Sequence, residues 1–208
     1  LSNEYDGSQF GAELPGFTVP QALSAIYAHG VAAIIVVNVC DPTKHKTAVD
    51  SETVTFNGDS ARVAKPALIE LEVKTSGEPA EICAVDVDYT VNMQTGEITK
   101  VTGGKLASAA EATVTYTYID PGKVTSADLI GTIDSVTGKM TGMKAWATSN
   151  TRFGYNPRIL IAPGHSSTKE ITAELISQAE KLEAIAYIDA PVGLTVQQVI
   201  EGRGSVGT

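Results

Sequence analysis

Apolar residues along this chain recur with two different periods, and the change between them divides it. Arg158-Ile-Leu-Ile-Ala-Pro163 is an unbroken apolar run stopped by Pro163-Gly164, the pattern of a strand buried on both faces. Ser167-Thr-Lys-Glu170 then has the S-x-x-E form of a capping box, which predicts a helix start. Beyond it Ile171, Leu175, Ala179 and Leu182 follow at three- and four-residue spacing, so one stripe faces a core while Lys169, Glu174 and Lys181 face water. A second run, Ala184-Ile-Ala-Tyr-Ile-Asp189, ends at Ala190-Pro191. Strand, helix and strand in this order predict a βαβ unit with parallel strands and a right-handed crossover.

The same period opens the chain. Residues 1–17 give no pattern and read as loop. Thr18-Val-Pro-Gln21 is another capping box, followed by Ala22, Leu23, Ile26 and Tyr27 as a stripe that stops at His29-Gly30. Val31 to Val39 predicts a third buried strand. After Asp41-Pro42 the period falls to two: Val54 and Phe56, then Ile69, Leu71 and Val73 against Leu68, Glu70 and Glu72, then Val87, Tyr89 and Val91, then Val114, Tyr116 and Tyr118. These predict antiparallel strands with one wet face, Thr113, Thr115 and Thr117 lying on the solvent side of the last. Asn92 to Gly96 reads as a hairpin connection. Helical signals return at Thr125-Ser-Ala-Asp128, with Asp134 to Gly138 as a turn and Met140, Met143 and Trp146 as a further amphipathic helix. Thr195-Val-Gln-Gln198 opens a last one. The pattern therefore predicts an α/β fold: a discontinuous parallel-sheet domain over residues 1–43 and 120–208, and an inserted antiparallel β domain over residues 44–119.

Composition narrows the function classes. A net charge of −9 over 208 residues, with no run of Lys and Arg, argues against a phosphate-tracking nucleic-acid binder. No apolar stretch approaches the roughly 18–20 residues of a membrane-spanning helix. The start Leu1-Ser-Asn-Glu has neither Met nor the basic and apolar regions of a signal peptide, and reads as the start of an internal fragment. Cys40 and Cys83 lack the spacing of a metal site or a disulfide framework and read as reduced thiols.

Ligands of open parallel sheets bind beyond the carboxyl ends of the strands. Those ends carry Asn38, Cys40 and Asp41, then His165, Ser166 and Ser167, then Asp189, so a hydrolase site at His165, Ser166 and Asp189 is one reading. Against it, Ser166 is not in a G-x-S-x-G elbow, Ser167 is committed to a cap, and no Gly-rich loop follows Val39. Asp86 and Asp88 with Glu81, or Asp134 with Asp128, lack calcium-loop spacing and read as a solvated face. Lys44-His45-Lys46 reads as a flexible linker. No catalytic, cofactor-binding or metal residue is assigned on these patterns. A surface module binding a receptor or glycan through Phe56, Tyr89, Tyr116 and Tyr118 is the other alternative, weakened because three of the four fall on apolar faces.

One ordered set of segments resembles the contractile-tail sheath proteins of Mu-like and P2-like bacteriophages and prophages. It comprises Val19 to Leu23 with Val31 to Val37, Asp88 to Val91 with Thr95 to Thr99, and Tyr118 to Pro121. Ala127 to Gly131 with Thr137 to Gly142, Pro157 to Gly164 and Ala184 to Pro191 complete it. The resemblance implies a subtilisin-like α/β domain without a protease triad, an inserted β domain in the outer sheath, and no cofactor. It also implies a structural role in the virion tail: subunits in hexameric rings around a tail tube protein, contracting to drive the tube through the host envelope. Family segments on either side of this stretch would hold the linking arms, so the chain by itself is expected to be monomeric.

Overall fold

The computed structural model describes residues 7–30 and 33–203. The chain divides into two compact units, Cys40–Lys123 and Leu1–Val39 with Val124–Thr208.

The Cys40–Lys123 unit is built from two antiparallel sheets. Strands β1 (Lys46–Thr55), β3 (Leu68–Thr75) and β6 (Glu111–Ile119) form one in the order β1-β6-β3. Strands β2 (Ser60–Arg62), β4 (Tyr89–Asn92) and β5 (Glu97–Lys100) form the other in the order β2-β5-β4. Val73, Val114, Tyr116, Tyr89, Ile98 and Leu106 make the buried core between them. The period-two reading of β6 holds, with Ala112, Val114 and Tyr116 inward and Thr115 exposed. In β3 it holds only in part: one extra residue between Leu68 and Glu70 shifts the register, so Leu68 turns inward with Val73 while Glu70 and Glu72 stay outside. A bulge reverses the side-chain parity beyond it, which alternation alone does not reveal. A second bulge between Val49 and Glu52 frees the Asp50 carbonyl, which accepts the Thr115 hydroxyl at 2.9 Å.

Asn92 to Gly96 is the expected hairpin connection. The Asn92 side-chain oxygen accepts the N–H groups of Gln94 and Thr95, and Gly96 closes the turn at a φ of 73°. Val87, expected on the inner face of a strand, instead lies exposed in the turn before β4. Lys44-His45-Lys46 is not a linker. His45 is buried, its Nδ1 accepts the Asp41 N–H at 2.9 Å, and Lys46 begins β1.

In the other unit the helices are α1 (Thr18–Tyr27), α2 (Ser126–Ile130), α3 (Ser149–Phe153), α4 (Lys169–Leu182) and α5 (Val196–Arg203). Strands β7 (Ile159–Leu160) and β8 (Ile185–Ala186) pair in parallel on either side of α4, which is the expected βαβ order. The α4 stripe of Ile171, Leu175 and Ala179 packs with Leu160, Ala162 and Met143, and Trp146 lies against this cluster. Met143 and Trp146 sit on a 3-10 turn, Gly142–Thr148, rather than on an α-helix.

Two expectations about this sheet are corrected. Residues 33–39 form no strand, and Val31 and Ala32 of that expected strand lie outside the described residues, as do residues 1–6 of the N-terminal loop. A strand exists through its ladder of partners, and an apolar run supplies none by itself. Nor is the sheet buried on both faces: Leu160 and Ala162 are covered, but Ile159, Ile161 and Ile185 are exposed. The fold is α/β, with antiparallel sheets in one unit and a short parallel pair in the other.

Of the expected capping boxes that at Thr195 forms, and a further one, not read from the sequence, stands at Thr125 where the helical signals return. The Thr125 N–H donates to the Asp128 carboxylate at 3.0 Å and the Thr195 N–H to Gln198 Oε1 at 2.8 Å, and each threonine hydroxyl accepts the backbone N–H of that same partner at 3.3 Å. Those at Thr18 and Ser167 do not. The first helix begins at Thr18 itself behind Phe17, and α4 begins after Thr168 because a turn closed by the Ala162 carbonyl occupies residues 163–168.

Candidate functional site

The loop after β7 and the end of β8 bring two of the three hydrolase candidates together. The Ser166 hydroxyl donates to Asp189 Oδ2 at 2.6 Å and accepts the Asp189 backbone N–H at 3.0 Å. Thr172, one turn into α4, donates its hydroxyl to the Ser166 carbonyl at 2.6 Å. Ser166 is 1 % exposed. Its proton is already given to a carboxylate and its oxygen takes the Asp189 N–H, so the group ties the loop after β7 to the segment after β8. A nucleophile needs a base in its own plane of attack and room for a carbonyl carbon. His165 joins neither partner by a side-chain bond among the described residues; its backbone N–H closes the turn onto Ala162. Ser167 is exposed beside it.

The remaining candidates are also engaged in local structure. Asp41 takes the Thr43 hydroxyl at 2.7 Å and the Thr43 N–H at 2.9 Å, and those bonds hold its carboxyl below the usual range. Cys40 is half-buried, and burial, then the charges of Asp41 and Asp120, push its thiol up. Cys83 is fully buried, and burial raises it as well. With both values raised, neither is poised as the thiolate that nucleophilic or metal chemistry requires. Asn38 is exposed.

The acidic candidates do not read as a solvated face throughout. Asp88 is buried: one carboxylate oxygen takes the Lys105 N–H and the other the Ala84 N–H, each at 2.8 Å. The backbone bonds from Lys105 and then Ala84 hold its carboxyl below the usual carboxylate range. Gly104 is required beside it, since a Cβ there would lie 2.6 Å from the Asp88 Cα. Glu81 pairs with Lys105 at 2.9 Å, and Asp86 stands apart at a φ of 63°. Asp128 caps α2, and Asp134 takes the N–H groups of Val136 and Thr137. Among the described residues no group of three His, Cys, Asp or Glu side chains could hold a metal ion, and no helix is long and apolar enough to cross a membrane.

The aromatic candidates are mostly interior. Tyr89 and Tyr116 are buried, and Phe56 and Tyr118 pack against the same core. Burial, reinforced by the 2.6 Å bond to Glu52, raises the Tyr116 phenol far above its ordinary value. Among the described residues the exposed aromatics are Phe153, Tyr155 and Tyr187, in the other unit. Sequence reasoning misses them because it looks for a ligand platform in the inserted segment.

What the structure offers is therefore a scaffold in which Ser166, Asp189, Asp41 and Asp88 are engaged in local hydrogen bonds, with apolar side chains of the short parallel sheet exposed. No family model matches the sequence, and no solved structure matches it. Relatives do. The chain is 42 % identical over 209 aligned residues to the tail sheath protein of Burkholderia phage BcepMu, covering 99 % of this chain and 43 % of that protein. A prophage major tail sheath protein of Pseudomonas aeruginosa is 42 % identical over 57 residues, 27 % of this chain and 15 % of the relative. The tail sheath protein of Escherichia phage P2 is 40 % identical over 75 residues, 36 % and 18 % of the two. The chain thus spans less than half the length of the curated relatives it matches. Along nearly its whole length this chain is a relative of the BcepMu tail sheath protein, and over shorter stretches it is similar to the other two sheath proteins.

Proposed function

We propose that this chain is part of a structural subunit of a contractile phage tail sheath. It would assemble with further copies around the tail tube in the virion, and contraction of the assembly would drive the tube through the host envelope. The observation that carries the reading is the 42 % identity to the BcepMu tail sheath protein along 99 % of this chain. The internal engagement of Ser166, Asp189 and Asp88 agrees with it, since such bonds suit a rigid body whose outer contacts repack while it moves. No step of chemistry is assigned to the chain, and it acts as a structural element rather than an enzyme.

Within this reading, residues 1–43 and 120–208 form the sheath core domain, of subtilisin-like α/β type, and residues 44–119 an inserted β domain on the outer side. The division into Cys40–Lys123 and the remainder, and the parallel order of β7, α4 and β8, support it. The test is negative-stain microscopy of a full-length polypeptide carrying this segment. Tubes of regular diameter are expected, and a protein that stays dispersed under all assembly conditions while hydrolysing ester or peptide substrates would overturn the proposal.

A further inference from the structure

Of the asparagines along the chain, only Asn57 is followed by glycine. An asparagine amide is open to attack by the backbone nitrogen of the next residue, and that nitrogen is least crowded when the next residue has no side chain. The other asparagines are poorly placed for this. Asn156 precedes Pro157, whose nitrogen has no proton to lose. Asn38 and Asn150 precede the branched residues Val39 and Thr151, and Asn150 lies within α3. Asn92 precedes Met93, and its side-chain oxygen already holds the N–H groups of Gln94 and Thr95. Asn3 precedes Glu4.

Asn57 opens the turn between β1 and β2. Its N–H donates to the Ser60 carbonyl at 2.9 Å, but the returning bond from the Ser60 N–H to the Asn57 carbonyl is 3.4 Å, long for its kind. The far half of the turn is anchored by β5: the Lys100 N–H donates to the Asp59 carbonyl at 2.9 Å and Lys100 Nζ to the Gly58 carbonyl at 3.3 Å. The near half is not. Asn57 and Gly58 are exposed, and among the described residues neither the Asn57 side-chain amide nor the Gly58 N–H has a hydrogen-bond partner. A Cβ on Gly58 would meet nothing within 4 Å, so the space around it is open to water and base. Behind the turn the Phe56 N–H is tied to the Ala110 carbonyl at 2.9 Å, which confines any opening of the Asn57–Ser60 pair to the turn itself.

We propose that Asn57 is a self-modification site, where the folded chain converts asparagine to isoaspartate and aspartate through a succinimide ring with Gly58. The Gly58 nitrogen gives its proton to hydroxide or a buffer base and attacks Asn57 Cγ. The new N–Cγ bond forms, the Cγ–Nδ2 bond breaks, and Nδ2 takes a proton from water and leaves as ammonia. One water then opens the ring. Breaking the bond from the Gly58 nitrogen to Cγ gives aspartate; breaking its bond to the Asn57 main-chain carbonyl carbon gives isoaspartate, whose backbone runs on through Cγ. In sum one water enters and one ammonia leaves, with no change of oxidation state. The product adds a negative charge to a chain already at −9, next to the residue whose carbonyl Lys100 Nζ holds. Isoaspartate also adds one backbone atom to the turn joining a strand of one sheet to a strand of the other. The reaction needs only water and base, and holds whether or not the chain serves in a sheath.

Incubation of the folded 208-residue chain, followed by peptide mapping with mass spectrometry, tests this. The amide-to-acid mass change should appear at Asn57 at least about tenfold faster than at any other asparagine, because only there can the attacking nitrogen approach freely. Its rate should rise with hydroxide concentration between about pH 7 and about pH 9, since the nitrogen must lose a proton. Methyl transfer from S-adenosylmethionine by an isoaspartate-specific carboxyl methyltransferase should label the same peptide, and Asn57→Gln should remove both signals. The chain in urea supplies the ungated rate. Gating by global unfolding would slow the folded chain roughly a thousandfold or more, whereas opening of one turn should slow it less than about a hundredfold. Protection beyond that, an equal rate at another asparagine, a rate indifferent to pH, or aspartate formed without isoaspartate would each overturn the proposal. Asn57→Gln is exposed and outside the cores, and circular dichroism checks that it is folded.

Discussion

Ser166 and Asp189 exchange two hydrogen bonds across the ends of β7 and β8, at 2.6 Å from hydroxyl to carboxylate and 3.0 Å from backbone N–H to hydroxyl. The pair sits where an open α/β sheet places its ligands, yet the serine is sealed. Ser166→Ala should therefore cost stability rather than activity: about 1–3 kcal/mol, since the Asp189 N–H and carboxylate lose their partner together. Urea unfolding checks the loss. An activity-based serine probe should label neither Ser166 nor Ser167, and labelling abolished by His165→Ala would contradict the structural role.

Asp88 should make the Cys40–Lys123 unit acid-sensitive. Its carboxyl is held below the ordinary carboxylate value by the Lys105 and Ala84 N–H groups. A depressed folded-state value contributes stability that is fully present above the unfolded value of about 3.9 and lost as pH falls through the folded one. Asp120, held down first by the Thr47 hydroxyl, acts with the same sign. Melting temperature should be flat from neutrality to about pH 5 and then fall toward about pH 2. Asp88→Asn should lower it at neutral pH and shallow the acid limb; an acid limb unchanged in that variant would remove Asp88 from the account.

Gly131 and Gly142 let two backbone segments meet. A Cβ on Gly131 would overlap the Thr141 carbonyl, and one on Gly142 would lie 2.5 Å from the Leu129 oxygen. Both residues have positive φ, at 76° and 56°. Either alanine substitution should cost about 1–2 kcal/mol for the backbone conformation alone and more for the overlap. Gly138→Ala is the control: its φ is 69° but nothing lies within 4 Å, so it should show only the conformational part. Equal losses at all three positions would mean that the close approach is not what these glycines serve.

These contrasts show what is legible in the chain. The order β7, α4, β8, the hairpin at Asn92–Gly96, the helix start near Thr125 and the cap at Thr195 are readable because each is decided by residues a few positions apart. Alternation puts Leu68 on the wrong face because a bulge is set by the partner strand β6. The run Ile159–Ala162 reads as doubly buried because an apolar sequence gives no count of the layers around it. Asp88 reads as a surface acid, since its donors are backbone groups, and that of Lys105 lies 17 residues away. Of the candidate site, the meeting of Ser166 with Asp189 follows from strand ends, whereas the sealing of Ser166 needs the packing of Thr172 above it.

The Cys40–Lys123 unit should fold by itself. The strands that enter and leave it lie side by side: Lys46 pairs with Ile119, and the Asp120 N–H donates to the His45 carbonyl at 2.9 Å. The Thr47 hydroxyl reaches Asp120 at 2.7 Å, and Lys123 Nζ reaches the Lys46 carbonyl at 2.7 Å. Its ends are thus about one strand spacing apart, roughly 5 Å, which a few residues of linker can bridge in the rest of the chain. Its core of Val73, Val114, Tyr89, Ile98 and Leu106 is drawn wholly from its own strands and loops. An element with its own core and adjacent ends is the kind that tolerates excision. Residues 40–123 expressed alone should melt in one cooperative transition with a β-sheet dichroism spectrum. The chain with residues 44–119 replaced by a short Gly-Ser linker should stay soluble and helical, protected by the cluster of Leu160, Ile171 and Leu175. A molten product from residues 40–123, with far-ultraviolet signal but no cooperative melt, would show that this core is completed from outside the unit.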